Sequence, residues 1–145
     1  MNDMASTFAQ TAEGIRAAIA KYAQALDDRR IEDVVGTFCP DGSIDISGLG
    51  RQQGREAIQR AYEGLSMAVP HRHVVVNTLM THWNDDEATS SSDLIDLARD
   101  SQSTWGVCFV GRYEDTLHRG SNGEWRFHTR KLRFVGEEEN PLLQS

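Results

Sequence analysis

Only two cysteines and three prolines occur in 145 residues, and aromatic residues make up just 8%. Cys39 and Cys108 lie far apart and belong to no CxxC or Cys/His spacing, which excludes a disulfide framework or a cysteine metal site as the organising principle. Both sit beside apolar residues, the pattern of buried free thiols in a reducing cytosol, so a cytoplasmic protein is expected. No apolar run reaches the length of a membrane span. The opening MNDMASTFAQ also lacks the basic-then-apolar layout of a signal peptide. Positive charge is scarce: 15 Lys+Arg stand against 22 Asp+Glu, a net charge of −7 that argues against nucleic acid or anionic membrane as a partner. There is no GxGxxG before a helix, no GxxxxGK[ST], no GxSxG and no HExxH. What remains is a chain of one-domain size, 39% hydrophobic, suited to a small neutral or apolar ligand.

Hydrophobic spacing organises the chain. Residues 1–10 read as a leader, 11–136 as the domain, and 137–145, with Glu137-Glu138-Glu139, as an acidic tail. From Thr11, apolar Ile15, Ile19, Tyr22 and Leu26 recur at helical spacing among five alanines, with no capping box at Thr11 to fix the start. A short second helix follows Asp27-Asp28-Arg29-Arg30, and Pro40-Asp41-Gly42 reads as the turn that closes it. Residues 43–47 alternate as a strand, and Gly54 opens a third helix through Tyr62. Strands are then expected over 71–83, 87–99, 105–118 and 124–135, punctuated by Asn84-Asp85-Asp86, Asp100–Ser103 and Gly120-Ser121-Asn122-Gly123. Helices first and consecutive antiparallel strands after them give an α+β fold: a curved sheet wrapped on helices, with room for a pocket between.

The chemistry concentrates on His71-Arg72-His73-Val74-Val75-Val76-Asn77. Strict alternation puts His71, His73, Val75, Asn77 and Leu79 on one face, so two imidazoles and an amide occupy positions where a structural strand carries aliphatics. With about 100° per helical residue, Asp27 falls nearer the buried face of the first helix than Asp28, which should meet water. Asp27 is then either a helix-end acid paired with Arg29 or Arg30, or a partner for His73. A carboxylate that holds one imidazole N–H fixes the tautomer and leaves the other nitrogen as a base. Arg112 faces either the cavity, where it would steady a developing negative charge, or an ion pair with Glu114 or Asp115. Tyr22 is a core residue or a donor to a substrate oxygen, Asn77 a donor to a carbonyl, and His71 a rim or pocket residue. Val75 and Val110 would shape the pocket, together with Leu79, Met67 and Phe134. Trp105, Phe109 and Tyr113 would form an exposed apolar sheet face. No metal is expected, since His71 and His73 lie two apart on one strand without a clear third ligand.

In order and spacing, several segments resemble the SnoaL-like branch of the NTF2-like superfamily. They are Ile15…Tyr22-x4-Asp27, Phe38-Cys39-Pro40-Asp41-Gly42, Gly54-Arg55-Glu56-Ala57-Ile58, His73-x3-Asn77, Gly111-Arg112-Tyr113-Glu114-Asp115 and Gly123-Glu124-Trp125-Arg126-Phe127. The resemblance spans roughly residues 11 to 135. It implies an α+β cone, in which three N-terminal helices pack in a curved, mixed but mostly antiparallel sheet enclosing a pocket. Within that branch the chain looks most like the group around scytalone dehydratase and hexachlorocyclohexane dehydrochlorinase. The resemblance implies that Asp27 and His73 form the dyad by which such enzymes abstract a proton without metal or organic cofactor. The dehydrochlorinase has a lysine where this chain has Tyr22. The dehydratase has a second pocket histidine where this chain offers Arg112. The activity implied is that of a lyase or isomerase on a small hydrophobic or cyclic compound, in a homodimer or homotrimer. A non-catalytic ligand-binding or assembly module, such as a dioxygenase small subunit, is the alternative.

Overall fold

A computed structural model describes residues 6–65 and 68–136. The element order is α1 (Phe8–Asp27), α2 (Ile31–Gly36), β1 (Phe38–Ile46), β2 (Gly50–Gln53), α3 (Arg55–Glu63), β3 (His71–Trp83), β4 (Glu87–Arg99), β5 (Trp105–Arg119) and β6 (Trp125–Phe134). The six strands form one sheet in the order β2-β1-β6-β5-β4-β3. Only β1 and β6 run parallel; every other neighbouring pair is antiparallel.

Helix α1 starts three residues earlier than the alanine-rich run indicates. Thr7 caps it by accepting from Gln10 N–H, and the Gln10 side chain accepts from Thr7 N–H. That reciprocal box stabilises a helix start by about 1 kcal/mol. Ile15, Ile19, Tyr22 and Leu26 are buried, each aliphatic contributing on the order of 1.5–3 kcal/mol. The helix ends where Arg29 turns left-handed at φ 60°, with Arg30 N–H donating to Ala25 O and Arg29 N–H to Leu26 O. This Schellman-type closure fixes the direction of Asp27, the last helical residue.

Pro40-Asp41-Gly42 is not a turn that closes α2. The segment lies inside β1, at an irregularity between Phe38 and Ser43, where the proline has no ladder hydrogen bond to give. The short strand β2, unmarked by hydrophobic alternation, pairs Gly50–Gln53 back onto β1.

On β4 every second residue from Ala88 through Ser90, Ser92, Leu94 and Asp96 is buried. The three small residues among them let α1 and the core lie close to the sheet. Two bulges decide which way later side chains point. One, between Val76 and Leu79, gives Asn77 a φ of 55° and breaks the alternation of β3. The other lies on β5 at Cys108, where Asp96 pairs with Phe109 and Leu97 with Val107. The acidic Glu137–Glu139 segment and Met67 fall outside the described residues. No described helix is long and apolar enough to cross a membrane.

Candidate active site

The ends of α1 and β3 bring Asp27 and His73 together across 46 residues of sequence. Asp27 accepts twice from His73: its carboxylate oxygens lie 3.0 and 3.1 Å from the backbone nitrogen, and Oδ1 lies 2.6 Å from ring Nδ1. Both side chains are more than nine-tenths buried. A carboxylate is acceptor only, so Nδ1 carries the hydrogen, and in the neutral ring it is Nε2 that has the lone pair. Asp28, by contrast, is exposed and ion-paired with Arg30 at 3.5 Å.

His73 lines an interior cavity of about 200 Å³ that also touches Tyr22, Tyr62, His71, Asp96 and Tyr113, with apolar Leu26, Phe109 and Phe134 among its walls. A larger, more open groove of about 460 Å³ lies between α1 and β3 on the other side of the same ring, lined by Ile19, Ala23 and Val75. The interior cavity is the chemically equipped one, because the tyrosines and both imidazoles meet there. Within it His71 Nδ1 lies 2.9 and 3.1 Å from the two oxygens of Asp96, whose side chain is 1% exposed. The Asp96 carboxylate also lies 3.8 Å from His73 Nδ1. The thiol of Cys108, turned toward Asp96 by the β5 bulge, bonds to it and is pushed up by burial and by that carboxylate.

Tyr22 and Tyr62 hydrogen-bond through their hydroxyls, and burial holds their phenols and that of Tyr113 above the usual range. They are therefore O–H donors at neutral pH. Behind them the Arg130 guanidinium stacks 3.5 Å from the Tyr113 ring centre and 4.2 Å from that of Tyr22. Its counter-charge is Asp115, whose Oδ1 lies 3.2 Å from Nε. The two groups are fully buried and not aligned as a hydrogen bond, so charge and ring faces hold the guanidinium. Burial pushes the Asp115 carboxyl up to about 6 even with Arg130 beside it.

Several expected pocket residues lie elsewhere. Arg112 is on the outer face of the sheet, and its Nε donates to Asp93 Oδ1 at 2.6 Å, not to the cavity, Glu114 or Asp115. Register explains this: Phe109, Gly111, Tyr113 and Asp115 point inward, so Arg112 between them points out, opposite Asp93. Asn77 is outside as well. The β3 bulge turns its amide to Asp93 Oδ2 at 2.9 Å. Val110 and Leu79 are exposed on the same outer face, whereas Val75 is half-buried and lines the groove side. The expected exposed face of Trp105, Phe109 and Tyr113 is also corrected. Tyr113 is buried, Phe109 stacks edge-on against Phe134, and the bulge leaves only Trp105 outside. Cys108 is exposed, not buried.

Asp96, Tyr62, Tyr113 and Arg130 were not singled out from sequence as site residues. Asp96 had a signal, since it continues the buried parity of Ala88, Ser90, Ser92 and Leu94. Arg130 had none, because a register shift at His128 reverses the alternation that Trp125 and Phe127 set up.

Together these features define a small α+β cone whose helices close one side of a curved sheet over a cavity holding a carboxylate–imidazole pair. The SnoaL-like domain profile matches residues 7–131, and the chain belongs to the SnoaL-like domain family, with the NTF2-like fold. No curated protein matches the sequence. Among solved structures, a protein of unknown function from Mycobacterium tuberculosis is similar at 25% identity and TM-score 0.78, over 86% of this chain and 71% of that one. A candidate scytalone dehydratase from Novosphingobium aromaticivorans is similar at 23% identity and TM-score 0.75, covering 86% and 84%. A Catenulispora acidiphila protein solved in complex with S-DNPA is similar at 23% identity and TM-score 0.79, covering 90% and 97%.

Proposed function

We propose that this chain is a cofactor-independent lyase or isomerase that takes a proton from carbon in a small, cyclic, hydrophobic substrate. The supporting observation is the double grip of Asp27 on His73 at the wall of a mostly apolar cavity. In the forward step Nε2 of His73 removes a proton beside a carbonyl or leaving group. Asp27 holds the ring in register and stabilises the imidazolium that forms, as general-base catalysis requires. One hydroxyl of the Tyr22–Tyr62 pair donates to the other, and the second, kept protonated by burial, donates to the oxygen on which charge develops. The arginine that backs this floor is Arg130, through the tyrosine rings, and Arg112 has no part in the reaction.

A nitrobenzisoxazole tests this reading, because its ring opens on loss of one carbon-bound proton and its phenolate leaves without help. The wild-type chain should open it faster than free imidazole, and His73→Ala should remove the excess. A chain that binds cyclic ligands without accelerating this opening would be a binding module instead.

The outer face of the sheet, where Val74, Val76, Leu79, Trp105, Val107 and Val110 are exposed, is the surface through which we expect self-association as a homodimer or homotrimer.

A further inference from the structure

Most of the interior cavity's wall is withdrawn from water. Tyr22, Tyr62, Tyr113 and Leu132 are buried, and Phe109 and Phe134 hold each other edge-on with ring centres 4.9 Å apart. Leu49 lines the same cavity yet is 53% exposed, and among the described wall residues it alone is so open. A side chain that is both wall and surface stands at the mouth.

The local sequence puts it there. Ser47-Gly48-Leu49-Gly50-Arg51-Gln52-Gln53-Gly54 contains one apolar side chain, that of Leu49, in an otherwise polar or glycine-rich hairpin between β1 and β2. Leu49 N–H donates to Ile46 O at 2.9 Å, and Gly48 has the φ of 89° that the third residue of a type II turn requires. Gly50 follows at φ 77°. A β-carbon on either glycine would meet nothing within 4 Å, so backbone angle and not space calls for glycine at both positions. Ser47 N–H donates to Leu132 O at 3.0 Å, which fastens the base of the hairpin to β6. Held on both sides, Leu49 borders the cavity and also a small crevice against α3 that Ala61, Tyr62 and Leu65 share.

We propose that Leu49 is the size-selecting residue of the interior cavity, and that the ligand it admits has one or two fused rings and no more. This rests on the reading of that cavity as the substrate site. A dry space of about 150 Å³ is enough to hold benzene. The cavity measures about 200 Å³, which leaves room for one further ring at most. A third ring has to occupy the mouth, where it meets the Leu49 side chain. One methylene too many or too few against an apolar wall discriminates by about 10–200-fold, and a ring is larger than a methylene.

Two probes that differ by one ring test the assignment: the nitrobenzisoxazole and its naphth-fused relative, which opens by loss of the same kind of proton. Leu49→Ala should raise kcat/KM for the larger probe by about tenfold or more and leave the smaller within about threefold. Leu49→Trp should raise KM for the smaller probe and exclude the larger. Arg51→Ala, on the same hairpin but outside the cavity wall, should match wild type on both. Because Leu49 is half exposed, its variants should keep the wild-type circular dichroism. Equal changes on the two probes, or no gain for the larger one in Leu49→Ala, would overturn the proposal. Fluorescence titration with a naphthol and an anthrol gives a readout that needs no turnover. Leu49→Ala should tighten the anthrol by about tenfold and the naphthol by less than about threefold, with or without His73→Ala. A missing anthrol gain overturns the size reading. Failure of the base reading has its own signature: His73→Ala would leave benzisoxazole opening untouched, whichever way the anthrol titration falls.

Discussion

A single carboxylate, that of Asp27, holds both the main-chain N–H and the ring Nδ1 of His73, so the backbone of β3 and the imidazole it carries are positioned by the same group. Asp27→Asn leaves an oxygen for the N–H but loses the charge that balances an imidazolium. Benzisoxazole opening should fall by about 10²–10⁴-fold, and by a similar factor in His73→Ala, while circular dichroism stays that of the wild type. Wild-type rates in either variant would remove His73 as the base.

Arg112 pairs with Asp93 on the outer sheet face, where its side chain is about half exposed. Exposed pairs of this kind contribute about 0–1 kcal/mol. Arg112→Ala should keep benzisoxazole opening within about twofold of wild type and cost no more than about 1 kcal/mol in urea unfolding.

Asp115 keeps its proton up to about pH 6 in the folded protein, against about 4 in the unfolded chain. Between those values the native state binds more protons than the unfolded one, so this group makes stability fall as pH rises, by on the order of 2–3 kcal/mol across the window. Urea unfolding from pH 4 to pH 7 should show wild type losing ground against Asp115→Asn through that interval, with the difference between them constant above it. A difference that stays flat, or moves the other way, would show that the carboxyl titrates normally.

Gly14 sits on α1 where a Cβ would run into the Trp125 ring, whose side is packed in the core. The overpacking, about 1–3 kcal/mol, outweighs the helix-propensity gain of about 1 kcal/mol. Gly14→Ala should lower the Tm. Gly36→Ala, with nothing within 4 Å of the new methyl, should not.

The outer-face patch predicts that wild type elutes larger than a monomer at micromolar concentration. Val107→Glu, which puts a charge on one of its most exposed aliphatics, should elute as a monomer with benzisoxazole opening largely kept. Monomeric wild type would refute the association.

What could be read from sequence tracks the regularity of the backbone. Long periodic stretches such as Ile15–Leu26 and the alternation over Glu87–Arg99 locate elements well, because one period runs unbroken through each. Asp27 and His73 were legible because each precedes any irregularity in its own element. Asn77 on β3, and Phe109 and Tyr113 relative to Trp105 on β5, are misplaced by bulges, one unpaired residue reversing everything beyond it. Arg130 lies just past another such shift. Arg112 and Val110 carried no such disturbance. Their face was ambiguous because neither parity of β5 is wholly apolar, and only the pairing with Asp93 and Ile95 resolves it.

Because Asp27 is the final residue of a twenty-residue helix whose far portion leans on Trp125, α1 works as a lever some 30 Å long with the carboxylate that grips His73 at its tip. A slight pivot at the Gly14 fulcrum swings the carboxylate by a larger distance. The Asp27–His73 contact is thus a finer gauge of how that helix is seated than any melting curve.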